Sequence, residues 1–222
     1  MSDRKPSIAI IGGTGDLGSG LALRWAKAGY RVIIGSRSKE NGEKAAKETA
    51  AISGSPVYGD ENGSAAASAD IIVLTVPFSN HQPTLETIKD GVQGKILVDV
   101  TVPLVPPKVM RVQLPSAGSA AKAAQDFLGG EVRVVSAFQN IAADLLKNLS
   151  AKIDCEVLVC GNNKDARSQV VALAEAAGMV AWHAGPIDNS AAAEALTSLL
   201  IFINKNGPVS HAGIRITGDP KP

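Results

Sequence analysis

The feature that most constrains the fold is a glycine-rich turn between an apolar strand and an amphipathic helix. Three glycines fit the pattern G-x-G-x-x-G: Gly13, Gly15 and Gly18. They follow the apolar run Ile8–Ile11, and a helical pattern begins at Asp16. In such a turn the first glycine permits the bend, the second admits a pyrophosphate and the third lets helix and strand pack closely. The sequence therefore predicts a dinucleotide held at the N-terminus of this helix.

The rest of the chain alternates predicted strands and helices. A second strand is predicted at Arg31–Gly35, and the unbroken apolar run DIIVLTVP predicts a buried parallel strand. This order is typical of an α/β fold, a doubly wound parallel sheet of the Rossmann type with helices on both faces. We expect residues 1–150 to form the nucleotide-binding domain. Residues 151–222 are predicted to form a small C-terminal α/β extension.

A proline-rich stretch from Val102 to Gln125 interrupts this alternation. It follows the carboxyl end of a predicted strand, which is the side where ligands bind in such sheets. Long irregular connections in compact domains are usually functional or mobile. An ordered crossover on the surface is an equally good interpretation of this stretch.

Composition excludes several classes of partner. The 222 residues include 22 Lys and Arg against 21 Asp and Glu, a net charge of +1 that gives no reason to expect nucleic acid or an anionic membrane. No apolar segment is long enough to span a bilayer. Cys155 and Cys160 lie on opposite faces of a predicted strand, so they cannot bridge each other, and no metal-ligand spacing occurs. We expect a cytoplasmic protein without a metal site.

The end of the second predicted strand indicates which dinucleotide binds. An acidic residue at this position would accept hydrogen bonds from the adenosine ribose and favour NAD. The chain instead has Ser36 and Arg37, with Lys39 close by. A serine hydroxyl can donate to a 2′-phosphate, and a guanidinium can bind it with two hydrogen bonds. The sequence therefore predicts NADP rather than NAD, the competing interpretation being a solvated basic turn.

Several stretches taken together resemble one family nearly from end to end. They are IIGGTGDLGSGLALRWAKAGYRVIIGSRS, PSAGSAAKAAQ, VLVCGNN, HAGPIDNS and HAGIRITG. The family is that of the NADPH-dependent coenzyme F420 reductases, also called deazaflavin:NADP oxidoreductases. The resemblance implies an enzyme that transfers a hydride reversibly between NADP(H) and the deazaflavin coenzyme F420, its small-molecule co-substrate. It also implies a homodimer in which the deazaflavin lies over the nicotinamide. In this arrangement residues 151–222 would complete the acceptor cleft and contribute to the dimer interface.

The resemblance also implies contacts for particular residues. Those implied for the pyridine nucleotide are Gly13, Thr14, Gly15, Asp16, Leu17, Ser36, Arg37, Val76 and Pro77. Ala143 is implied beside the nicotinamide amide, and the deazaflavin is implied near Gln139, Ile141 and the C-terminal residues around Pro208.

The chain departs from the family pattern at two positions. Gln139 replaces a usual histidine, and Asn41 stands where some members have a lysine. Glutamine can donate a hydrogen bond to a ring carbonyl but carries no charge at neutral pH. Two alternatives therefore stay open: an NADPH-dependent reductase with another acceptor (a flavin, a ferric ion or a small imine), and a non-enzymatic NADP(H)-sensing module.

No catalytic acid, base or nucleophile is evident in the sequence. His81, His183 and His211 are scattered, and each is predicted to be a surface or packing residue. The absence of a Tyr-x-x-x-Lys pair argues against short-chain reductase chemistry. Hydride transfer between two redox cofactors needs approach and orientation rather than side-chain chemistry, so no catalytic residue is assigned.

Overall fold

The structure, a computed structural model, describes residues 4–219 as eight strands and eight α-helices. The strands are β1 (Ile8–Ile11), β2 (Val32–Ser36), β3 (Val57–Glu61), β4 (Ile71–Leu74), β5 (Ile96–Asp99), β6 (Arg133–Ser136), β7 (Val157–Gly161) and β8 (Ala181–Gly185). The helices are α1 (Asp16–Lys27), α2 (Lys39–Ser53), α3 (Asn62–Ala67), α4 (His81–Ile88), α5 (Ala120–Leu128), α6 (Ala143–Lys147), α7 (Lys164–Ala176) and α8 (Ser190–Asn206).

All eight strands form one sheet in the order β3-β2-β1-β4-β5-β6-β7-β8. The first six are parallel, so the predicted doubly wound sheet of the Rossmann type is confirmed. β7 runs antiparallel to β6, and β8 is parallel to β7. The strand order reverses between β1 and β4, which is the topological switch point where such sheets bind ligands.

Apolar strands place one core on each face of the sheet. All four residues of β1 and of β4 are buried, as expected for parallel strands covered by helices on both faces. On one face Trp25 packs edge to face on Phe138, with ring centroids 5.9 Å apart. Its indole N–H donates to the carbonyl oxygen of Leu173 at 2.8 Å, which ties α1 to α7. Helix α1, which follows the glycine-rich turn, is thus packed against the C-terminal part of the chain.

Arg24, which is also on α1, makes a second connection across this face. The Arg24 guanidinium is buried and faces main-chain carbonyl oxygens rather than a carboxylate. Its Nε donates to Leu146 at 2.9 Å and its Nη1 to Ala177 at 2.9 Å. Its Nη2 donates to three further carbonyl oxygens, those of Leu145, Asn148 and Ala151. Burial lowers the pKa of Arg24. The carbonyl groups lie at and beyond the ends of α6 and α7, where helix carbonyls lack intrahelical partners.

The proline-rich connection after β5 is irregular as far as Ser119, which is the N-cap of α5. The carboxylate of Glu194, on α8, accepts hydrogen bonds from the N–H groups of Ala120 and Ala121 at 2.7 and 3.1 Å. This contact fixes the end of the connection to the last helix. β7 and β8 lie in the same sheet as the first six strands, and the division of the chain at residue 150 stays a prediction.

Candidate functional site

A cleft of about 1100 Å³ opens at the carboxyl ends of β1, β2, β3 and β4. Six of the predicted nucleotide contacts line it: Thr14, Gly15, Ser36, Arg37, Val76 and Pro77. The parallel strands bring these residues together because each follows a strand that ends at this edge of the sheet.

The glycine turn differs in one respect from the sequence-based prediction. The left-handed bend lies at Gly12, with φ +74°, and not at Gly13, to which the pattern assigned the tight turn. A Cβ on Gly12 would lie 2.6 Å from Val76 Cγ1, and one on Gly13 would lie 2.8 Å from the carbonyl oxygen of Ile10. Gly12 therefore provides the turn, while Gly13 provides close packing on β1.

The third glycine has the predicted role. A Cβ on Gly18 would lie 2.5 Å from Thr75 Oγ1 and 2.8 Å from the Cα of Gly13. Thr75 follows β4, which ends at Leu74, and its hydroxyl donates to the carbonyl oxygen of Ile11 at 2.9 Å. The close approach of α1 to the β1 and β4 ends thus depends on the absence of a side chain at Gly18.

The N-terminus of α1 fits a pyrophosphate. Its N-cap, Gly15, offers no side-chain hydrogen bond, so the first N–H groups of the helix are left for a ligand. The side chain of Asp16 lies outside the cleft lining, in an exposed ion pair 2.6 Å from Lys147 Nζ that lowers its pKa. Leu17 packs on the core. Asp16 and Leu17 can therefore face a phosphate only through their main-chain N–H groups.

The part of the cleft at the end of β2 contains both predicted polar groups. Ser36 is the last residue of β2 and is buried, whereas Arg37 is exposed. The cleft also includes Asn41, one of the two positions at which the chain departs from the family pattern. The lining residues that the sequence analysis did not select are Gly12, Lys44, Ala45, Glu48, Glu61, Asn62, Gly63, Ser64, Thr75, Asn80, Pro83, Thr84 and Thr87.

Helical periodicity and strand ends contain signals for some of the missed residues. Lys44 is three positions after Asn41 on α2, and such residues share a helix face. Asn62 follows the end of β3, and its Oδ1 accepts a hydrogen bond from the N–H of Gly12 at 3.4 Å. Asn62 could have been predicted from its position at the carboxyl end of a strand, where such sheets bind ligands.

Gln139 lies outside this cleft, in a buried polar cluster beyond the ends of β5 and β6. Its Nε2 donates to the carbonyl oxygen of Asp99 at 2.9 Å and to Ser136 Oγ at 3.0 Å. The amide orientation follows from chemistry, because a main-chain carbonyl only accepts. Both side-chain N–H groups of Gln139 are thus occupied, and its side-chain oxygen, Oε1, is left for a ligand. The residue before it, Phe138, has φ +71°, a strained conformation for an aromatic residue that is typical of functional sites.

The other predicted acceptor-side residues occupy different settings. Ile141 is part of the core, and Ala143 is the first residue of α6, which packs on α1. Pro208 is exposed in the segment that follows α8. Helix α8 holds the main chain at Gln139, because Thr197 Oγ1 donates a hydrogen bond to the main-chain carbonyl oxygen of Gln139 at 2.9 Å.

A buried His–Asp pair lies beside Gln139. His81 Nε2 is 2.6 Å from Asp99 Oδ2, and both side chains are almost fully buried. Burial alone would lower the pKa of His81, but the hydrogen bond and charge of Asp99 outweigh it and raise the pKa. Burial raises the pKa of nearby Glu194 to about 8, although two main-chain N–H groups donate to it. His81 is thus a packing residue with a buried partner, while His183 is exposed and His211 lies 2.5 Å from Asp144.

Within residues 4–219, no three His, Cys, Asp or Glu side chains are grouped as a metal site requires. The same residues include no helix of the length and apolarity needed to cross a membrane. Cys155 and Cys160 are both free and buried.

Comparison with known proteins identifies the family. A family model described as "NADP oxidoreductase coenzyme F420-dependent" matches residues 7–103. The F420-dependent NADP reductase of Methanothermobacter thermautotrophicus is 44% identical to this chain. The alignment has 222 positions and covers 96% of this chain and 96% of the relative. The chain belongs to the family of F420-dependent NADP reductases. The family member of Methanocaldococcus jannaschii is 41% identical over 95% of this chain and 97% of its own.

A solved structure of an Arthrobacter protein, assigned as an F420-dependent NADP-reductase, has the same fold as this chain. It superposes with a TM-score of 0.83 over 96% of this chain and 100% of its own, at 24% sequence identity. The resemblance predicted from the sequence motifs is therefore confirmed at the level of family and fold.

Proposed function

We propose that this chain transfers a hydride between NADP(H) and the deazaflavin coenzyme F420. The observation that carries the proposal is the match of nearly the whole chain to F420-dependent NADP reductases at 44% and 41% identity. The match extends beyond the nucleotide-binding half to the segment that contains Gln139 and α8. A likeness restricted to the glycine-rich turn would support only dinucleotide binding.

The chain's own residues bind and orient in this proposal. NADP(H) supplies the hydride or accepts it at the nicotinamide when bound. The α1 N-terminus holds the pyrophosphate, and Ser36 and Arg37 bind the 2′-phosphate. Val76 and Pro77 border the nicotinamide end of the cleft, which supports their proposed contact. Proximity then accounts for the rate, so no side chain needs to give or take a proton.

On the acceptor side, we assign the deazaflavin to the region of Gln139, Ile141 and Pro208, with Ala143 beside the nicotinamide amide. Two observations support this region: the strained backbone at Phe138, and the side-chain Oε1 of Gln139, which accepts no hydrogen bond from residues 4–219. That oxygen accepts hydrogen bonds, so it suits a ring N–H. The donor role expected from the sequence would require Gln139 Nε2 to leave its main-chain partner.

A homodimer is part of the proposal. From Phe202 to the end of α8 every residue is exposed, although the segment remains helical. Leu199, Phe202 and Ile203 present apolar surface along this part of α8. The proline-rich connection lies beside it, because Ser198 Oγ donates to the carbonyl oxygen of Arg111, and the next residue, Val112, is also exposed. An apolar patch of this kind supports an interface with a second copy. The two free cysteines support a reducing compartment, the cytoplasm.

The direct test is to mix purified protein with NADPH and oxidised coenzyme F420 and to follow the deazaflavin absorbance. Turnover with F420, absent with a flavin, a ferric salt or a cyclic imine, is the expected result. Tight NADPH binding without turnover on any acceptor would refute the enzymatic assignment and favour a sensing module.

The dimer is tested by sedimentation of the wild type and of Phe202→Glu. A charge buried in the proposed interface would shift the protein from dimers to monomers.

The nucleotide assignment has its own test. Arg37→Glu is expected to raise the KM for NADPH strongly and the KM for NADH little, because the guanidinium faces only the 2′-phosphate. An equal rise for both nucleotides would contradict that role.

A further inference from the structure

We propose that Lys44 is a second cation for the NADP 2′-phosphate and thereby a determinant of nucleotide specificity in this chain. The inference rests on the proposed function only in taking NADP(H) as the dinucleotide. It explains how the cleft binds this phosphate although Asn41, a neutral residue, stands where some family members have a lysine.

The first observation is the face of α2 that forms the wall of the cleft. The α2 residues in the cleft lining are Asn41, Lys44, Ala45 and Glu48. Relative to Asn41 their spacing is i, i+3, i+4 and i+7, which is one continuous stripe along a helix. Lys44 is thus one turn further along the same face as Asn41. Its side chain is four methylene groups long and flexible, so it can reach a ligand bound beside Asn41.

The other lysines of α2 are placed differently. Lys39 lies outside the cleft lining, and its Nζ is 3.9 Å from Glu43 Oε1 in an i, i+4 ion pair. Lys47 is exposed and also lies outside the lining. Among the α2 lysines, Lys44 is therefore the one that lines the cleft.

The second observation is the charge balance of this cleft. Two carboxylates, Glu48 and Glu61, line the cleft together with Arg37 and Lys44. Without Lys44 the three remaining side chains, Arg37, Glu48 and Glu61, would give +1 − 2 = −1, a net negative charge that repels a 2′-phosphate. Lys44 brings the sum to +2 − 2 = 0. A dianionic phosphate then meets two positioned cations rather than a net negative surface, and charge-assisted hydrogen bonds to both are available.

The same balance predicts the consequence of losing Lys44. Glu48 and Glu61 would then dominate the adenosine end, and carboxylates there accept hydrogen bonds from ribose hydroxyls, as NAD-binding sites do. Loss of Lys44 should therefore weaken binding of the phosphorylated nucleotide selectively. It should not weaken the unphosphorylated one.

The experiment measures binding directly, so that it does not depend on the acceptor. Calorimetry with 2′,5′-ADP and with 5′-AMP is carried out on the wild type, Lys44→Gln and the control Lys47→Gln. We expect Lys44→Gln to weaken 2′,5′-ADP by about three- to tenfold while 5′-AMP is unchanged. Lys47→Gln should bind both probes as the wild type does. Asn41→Lys added to Lys44→Gln should restore 2′,5′-ADP binding, since it returns a cation to the same stripe.

The outcomes separate this inference from the proposed function. If the wild type prefers 2′,5′-ADP and Lys44→Gln keeps that preference in full, the role of Lys44 is refuted and NADP binding stands. Equal weakening of both probes also refutes it, because the effect would then be structural. A wild type without any preference for 2′,5′-ADP would overturn the assignment of NADP itself.

Discussion

Replacing Arg24 by methionine tests whether the buried guanidinium holds α1 against α6 and α7. Methionine is unbranched and apolar, so it replaces the aliphatic part of the side chain and removes the guanidinium with its hydrogen bonds. Two of the abandoned carbonyl oxygens, those of Leu146 and Ala177, are in buried hydrogen bonds. Each unpaired buried acceptor costs about 1–3 kcal/mol. The three other carbonyl oxygens are only part-buried, so water can replace the guanidinium there.

The expected net loss is about 3 kcal/mol, because methionine also removes the cost of burying the charge. For a chain of this size that corresponds to a fall in Tm of about 6–12 °C. Thermal and urea unfolding followed by circular dichroism measure it. Lys27→Met is the matched control, since Lys27 is exposed in the last turn of the same helix and should change Tm by little. A Tm for Arg24→Met within about 1 °C of that of the control would show that the guanidinium contributes no net stability.

Three further predictions concern packing and pH. Gly18→Ala should weaken NADPH binding and lower Tm, because the new methyl group would overlap Thr75; a normal KM for NADPH would contradict this. Gly59→Ala should destabilise more, by about 3 kcal/mol or more, since its methyl group would overlap the backbone of Gly42, and urea unfolding that matches the wild type would refute it. The pKa of Glu194 is about 8 in the folded protein, raised from the ordinary value of 4.5. Between pH 4.5 and 8 the folded state therefore keeps a proton that the unfolded state releases. The free energy of unfolding should therefore fall as pH rises through this window, by up to about 1.4 kcal/mol per pH unit, and Glu194→Gln should flatten the slope in urea titrations at pH 5 to 8.

Local patterns were sufficient to predict much of the fold. Apolar runs and helical spacing lie within short windows, so the β-α-β order and the site at the carboxyl ends of the strands could be derived from them. The preference for NADP also came from adjacent residues, Ser36 and Arg37. Lys44 was within reach of the same reasoning, because the i+3 spacing from Asn41 is visible in the sequence.

The contacts that could not be predicted join distant parts of the chain. Glu194 is 74 residues from Ala120, and Arg24 is 153 residues from Ala177. No periodicity indicates such pairs, since they depend on how the helices pack over the sheet. The reversed direction of β7 has no local signal either, because a buried strand is apolar in both orientations. The orientation of the Gln139 amide likewise depends on Asp99, which is 40 residues away.

The hydrogen bond between the Trp25 indole and Leu173 bears on how this chain can be shortened. A fragment that stopped at residue 150 would retain the entire glycine-rich turn but would lose α7 from behind it. The indole N–H would then have no acceptor, and an aromatic side chain that is fully buried in the intact chain would be open to water. α5 would lose the carboxylate that accepts from its first N–H groups as well. Dissecting the protein between its two halves would thus damage the half that contains the glycine-rich turn from its rear side, although every residue that lines the cleft is still in place.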